Sequence, residues 1–143
     1  MPYPIQSLSV TSSTLTLDRD IHANGPLIVL DRAAGVTVTL PASAGTGDMY
    51  EIAVGTTVTS NSYIIAVANS SDVMLGAIAI ATDIAGVTCP TTSTSDTITM
   101  SGSTTGGVLG SYIKLVDIAT NKWLVSGSLV STGAEATPFS AAV

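Results

Sequence analysis

The 143-residue sequence contains one cysteine, one histidine, one tryptophan, one phenylalanine and only four basic residues. With Cys89 alone, no intramolecular disulfide can staple the fold, so stability has to come from packing or assembly. His22 and Cys89, 67 positions apart, do not make a structural tetrahedral zinc set. Arg19, Arg32, Lys114 and Lys122 are scattered among ten acidic residues, for a net charge of −6. No basic patch exists to release counterions from phosphates, which argues against a nucleic-acid partner, and the same acidity argues against an anionic membrane surface. The longest charge-free apolar run, Val73 to Ala81, is too short to span a bilayer. The opening "MPYPIQSLSV" has neither the basic start nor the apolar stretch of a secretory signal. These absences lead to the expectation of a soluble protein made in a cytoplasm.

Hydrophobic residues make up 45% of the chain and charged residues only 10%. Serine and threonine supply roughly a quarter of it, so hydroxyls carry most of the polar exterior. Such an exterior is sticky unless partners cover it. The length suits one domain, which on folding buries roughly 68–70% of the surface its unfolded chain exposes.

Apolar residues alternate with Ser or Thr in short runs broken by Gly, Asn, Asp and Pro, the period-2 pattern of half-buried antiparallel strands. Strands are expected at 14–17, 27–30, 36–40, 50–54, 63–68, 77–81, 97–100, 112–118 and 123–129. The class is all-β: an antiparallel β-sandwich of jelly-roll-like form, or a β-barrel. The clearest element is a hairpin, "SYIKLVDI" and "WLVSGSL" joined by "ATNK" with Asn121 as turn-former. An echo, "TLTLDRD" against "LIVLDRA", places two Asp-Arg pairs thirteen residues apart. Two copies do not make a solenoid; they suggest neighbouring strands with similar Asp-containing turns.

Residues 82–96 and 101–110 read as long loops rich in Thr, Ser and Gly. Both ends read as extended. The organisation expected is an N-terminal arm over 1–13, stiffened by Pro2 and Pro4, a β domain over 14–130 and a tail over 131–143. Tyr3 and Ile5 on the arm, Trp123 and Phe139 are the candidate subunit or capsid contacts, with a core position the simpler account of a lone strand tryptophan.

Gly45-Thr46-Gly47 resembles a phosphate-cradling loop, yet it has neither a third glycine in register nor a lysine, and a strand follows it. It is expected only to turn the chain. His22 has no nucleophile elbow to serve and reads as a satisfied turn or surface histidine. Asp18 and Asp20, at i and i+2 on one face of a strand, and the oxygens of "NSSD" (Asn69 to Asp72) suit a hard cation in type. Neither matches a calcium loop, so solvated turn residues are the better account. With one Trp and one Phe, sugar stacking has little to draw on. No catalytic residue, metal ligand or cofactor site is expected, and an enzyme is not.

The running text "LDRAAGVTVTLPASAGTGD", "YEIAVGTTVTSNSYIIAVANSSDVMLGAI", "STSDTITMSGSTTGG" and "IKLVDIATNKWLVSGSLVSTGAEATPFS" resembles the head decoration, or cement, proteins of short-tailed bacteriophages, including those of cyanobacteria. The resemblance spans residues 30 to 143. It implies a β-rich homotrimer on the outer capsid surface, at threefold or quasi-threefold positions. There it clamps the major capsid protein against the pressure of packaged DNA. The N-terminal arm, anchored by Tyr3 and Ile5, is the expected shell contact. The rival is a trimeric tail-fibre or tailspike-like module that recognises a host surface glycan, since such modules share the Thr/Ser/Gly-rich β signature. The absence of a long shaft favours the cement reading.

Overall fold

A computed structural model describes residues 6–143. Within them the chain forms twelve strands and one four-residue helix: β1 Ser7–Val10, β2 Thr14–Thr16, α1 Arg19–His22, β3 Leu27–Leu30, β4 Val36–Thr39, β5 Met49–Val54, β6 Tyr63–Ala66, β7 Val73–Ala81, β8 Gly86–Pro90, β9 Thr97–Met100, β10 Tyr112–Ala119, β11 Lys122–Val130 and β12 Phe139–Ser140. A seven-stranded sheet has the order β1-β3-β5-β10-β11-β7-β8, and a five-stranded sheet the order β12-β9-β6-β4-β2. Alternation places one side chain in two on the inner face of each sheet. The inward residues, among them Ile28, Ile52, Ile113 and Val125 of the larger sheet and Val38, Ile65 and Ile98 of the smaller, form a single hydrophobic cluster.

The sheets are mixed rather than antiparallel. From β1 to β6 the chain passes back and forth between the two sheets, so that β1, β3 and β5 lie parallel in one and β2, β4 and β6 parallel in the other. Parallel neighbours need a crossover, and here a strand of the opposite sheet provides it. Ser7 pairs with Leu27 and Leu27 with Glu51, steps of 20 and 24 residues along this coil. The hairpin β10–β11 then inserts between β5 and β7, antiparallel to β5 and parallel to β7.

Several expectations are corrected. The two Asp-Arg copies follow β2 and end β3, which lie in different sheets and do not pair. Their carboxylates also do different work. Asp18 caps α1 by accepting the Asp20 N–H, so Asp18 and Asp20 do not share a strand face. Asp31 instead accepts from Ser9 of β1 at 2.7 Å and from Thr56 just after β5 at 3.0 Å, tying three successive passes of the coil at one corner. Within 82–96, the span read as one loop, the chain closes a tight turn and forms β8, whose exposed pattern leaves only Cys89 facing the core. Residues 101–110 carry no strand. In the segment 1–13, read as a polyproline or edge-strand arm, residues 7–10 form edge strand β1, and residues 1–5 fall outside the described residues. In the segment 131–143, β12 pairs with β9, and Asp96 accepts the Ala142 and Val143 N–H groups.

Candidate functional site

Tyr3 and Ile5 lie outside the described residues. Trp123 and Phe139 are 1% and 8% exposed, so both face the core of the single chain. Trp123 meets Tyr50 edge-on, with ring centroids 5.7 Å apart. Its alternation on β11, between exposed Lys122 and Leu124, fixes that direction.

The loop from Pro41 to Asp48 is held by three buried carboxylates from other parts of the chain or from its own end. Asp117, on the inner face of β10 and 3% exposed, accepts the Ala44 N–H at 3.0 Å, the Gly45 N–H at 2.7 Å and the Thr46 hydroxyl at 3.0 Å. Its backbone also pairs with the loop, through Gly47 N–H to the Asp117 carbonyl and Asp117 N–H to the Asp48 carbonyl. Gly45 and Gly47 have φ of +79° and +77°, the left-handed region that turns successive N–H groups toward one point. The resemblance to an anion cradle is therefore real in geometry, and the anion is the protein's own carboxylate. Burial alone pushes the Asp117 pKa up, but the N–H groups of Ala44 and Gly45 and the Thr46 hydroxyl outweigh it and hold it below the ordinary carboxylate value.

Asp48 closes the same loop. It accepts from the Asn24 amide at 2.8 Å and from the Thr46 hydroxyl at 2.9 Å, and it pairs with the guanidinium of Arg19. The Asn24 amide is the largest influence; with Thr46 and Arg19 it lowers the Asp48 pKa against the opposing effect of burial. The single Thr46 hydroxyl proton thus lies between two carboxylates. Burial, and then the Asp48 charge, push the neighbouring Tyr50 hydroxyl up to about 12. Asp72, 1% exposed, accepts the Ser43 N–H at 2.9 Å. Asn69 is engaged with the Ser71 and Asp72 N–H groups, so the oxygens of "NSSD" do not converge on a cation. Among the described residues no group of three or more His, Cys, Asp or Glu side chains is arranged to hold a metal ion. His22 accepts the Asp18 N–H on Nδ1 at 2.8 Å, a turn role.

The second feature is the outer face of the seven-stranded sheet. Register aligns Met49, Val116, Leu124 and Leu75 as one apolar row across β5, β10, β11 and β7. Ile118 and Leu124 are 45% and 44% exposed, and Val130 adds a further exposed side chain on β11. Leu27 and Val29 of β3 and Ala53 of β5 extend the surface on the other side. Its charged groups are Asp31 at the end of β3, Glu51, Lys114 and Lys122, with Glu51 directly opposite Lys114 across β5 and β10. A half-polar sheet face is the norm when water covers it; here β7 reads Val73, Leu75, Ala77, Ala79 and Ala81 along its outer side. The signal lay in the sequence, because "VMLGAIAIA" is apolar at every position and alternation cannot then assign a wet face.

A groove of about 350 Å³ beside the coil is lined by Ser13, Thr14, Arg32, Thr37 and Asn61, among others, with no aromatic side chain. Arg32 Nη1 is already engaged with the carbonyls of Ala34 and Gly35. No family model, curated protein or solved structure matches the chain.

Proposed function

We propose that the chain is a structural protein of a phage virion, a homotrimeric β-sandwich that decorates the outer head surface and binds the major capsid protein at threefold or quasi-threefold sites. The observation that carries the assembly in this reading is the apolar outer face of the seven-stranded sheet. A single chain leaves it in water, and contiguous exposed apolar surface of this kind marks a protein-protein contact. The resemblance of residues 30–143 to head decoration proteins supplies the setting. Reinforcement of a shell needs no chemistry from the protein; it needs several equal, individually weak contacts acting together, which a symmetric oligomer provides. The loop that most resembles a ligand site is filled by Asp117, in keeping with a scaffold whose polar groups serve its own fold.

A second reading, a trimeric tail-fibre or tailspike-like module recognising a host surface glycan, draws on the parallel coil of β1 to β6. Its outermost strands β1 and β2 are sheet edges, the geometry in which further passes can stack. The aromatic-free lining of the groove beside that coil favours the decoration reading, because sugar rings are commonly held by stacking. Quantitative mass spectrometry of purified virions separates the two. A copy number comparable to that of the major capsid protein is expected; a handful of copies per particle moves the chain to the tail.

A further inference from the structure

We propose that the outer face of the seven-stranded sheet is covered by the same face of further copies of this chain, so that it forms the core of the homotrimer and the capsid is met by another surface. This rests on the assembly reading above and names the occupant of its surface.

Size is the first argument. Seven strands about 4.8 Å apart, four to nine residues long at about 3.3 Å per residue, cover roughly 700 Å² as a flat projection. A stable interface buries about 800 Å² per partner, and a corrugated face exposes more than its projection. The face therefore reaches the size of a stable contact only if nearly all of it is used; in a ring of three it is divided between two neighbouring copies that together cover it, which a narrow peptide does not.

Charge is the second. Asp31, Glu51, Lys114 and Lys122 leave the face without net charge, so the remaining surface and interior, with eight of the ten acidic residues and two of the four basic ones, sum to −6. Four of those carboxylates are buried, but the balance outside this face is still acidic, and this face alone adds no like charge to a contact between copies. On this face the acidic groups, Asp31 and Glu51, are on the β3–β5 side and the basic groups are on β10 and β11. A rotation that closes a ring sets the β5 side of one copy on the β11 side of the next, and Glu51 then meets lysine rather than another carboxylate. The row Met49, Val116, Leu124 and Leu75 supplies the apolar centre.

The test is the mass of the full chain in solution at about 10 µM, by size exclusion with light scattering, beside Leu124→Asp and Ser126→Arg. Both positions are exposed on β11, so neither change removes a core side chain. The chain is 14.3 kDa. The wild type is expected as a closed homo-oligomer of three times that mass, and both variants as single chains with unchanged β-type circular dichroism. If Leu124→Asp fails to fold, Ser126→Arg decides alone. A single-chain wild type, or variants that keep the wild-type mass, overturns the proposal. Virion binding is read separately. A trimer dissociated by these variants that is absent from phage heads leaves the proposal standing and removes the decoration reading; heads carrying single chains do the reverse.

Discussion

Replacing Asp117 with Asn tests the self-filled cradle. The carboxylate accepts two backbone N–H groups and one hydroxyl while almost fully buried. An amide with its oxygen at the Oδ1 position keeps the Ala44 and Gly45 N–H groups but turns its NH₂ toward the Thr46 hydroxyl. The Thr46 bond is lost and the two backbone bonds lose their charge assistance, together about 3 kcal/mol. For a domain of this size that is a fall in Tm of about 10 °C. The assay is thermal unfolding followed by circular dichroism and by the emission of Trp123, the sole tryptophan, from pH 7 down to pH 2. Because Asp117 has its pKa lowered in the folded chain, its stabilisation is complete above the unfolded value of about 3.9 and disappears as pH falls through the folded value. The gap between wild type and D117N is therefore widest at neutral pH and closes in acid. Asp83→Asn, an exposed carboxylate on the β7–β8 turn, is the control and is expected within about 0.5 kcal/mol of wild type. A D117N protein melting within about 2 °C of wild type at pH 7 refutes the account of the loop.

Further outcomes are expected elsewhere in the fold. Gly127→Ala places a methyl group 2.2 Å from the Tyr112 carbonyl at φ +154°, and should cost about 2–4 kcal/mol, read as a lower urea midpoint. Phe139→Ala should cost about 3–5 kcal/mol in the same titration if β12 closes the core; a change under about 0.5 kcal/mol would mean that the segment 131–143 contributes nothing. Tyr50, raised to about 12, stabilises the fold fully below the unfolded tyrosine value of about 10 and loses that contribution as pH climbs to about 12. Burial raises Tyr63 and Tyr112 as well, so ultraviolet titration should show at least one tyrosine, Tyr50, ionising only with alkaline unfolding.

Class and most strand positions were legible in the sequence because period-2 alternation is local: β3, β9 and the β10–β11 hairpin with Asn121 at φ +61° lie where the pattern puts them. Strand direction was not, since alternation is the same in parallel and antiparallel pairs. The coil left no period to find, because its turns differ in length, with Thr14 pairing to Thr37 and Val36 to Tyr63. Edge strand β8 escaped because an edge faces the core with one residue, Cys89. Trp123 was legible only as an anchor, of core or interface, and the single chain buries it. The partner of the Gly-Thr-Gly loop was not legible, since Asp117 lies some seventy positions away and nothing local marks it. The apolar outer face needed the register, which alone aligns Met49, Val116, Leu124 and Leu75.

The position of the β10–β11 hairpin, between β5 and β7, also fixes the order in which this chain can be completed during synthesis. Tyr112 pairs back to Ala53, and Lys122 to Val73. Until residue 130 has left the ribosome, the large sheet exists only as two fragments, β1-β3-β5 and β7-β8, each with an inner edge whose backbone groups are unpaired. Such edges are templates for the wrong partner. The hairpin's own pairing is local and fast, so it arrives as a preformed wedge that closes both edges at once. Nascent chains stalled before the hairpin are therefore the species most prone to aggregate, and the outer face of the large sheet is complete only after residue 130 has been made.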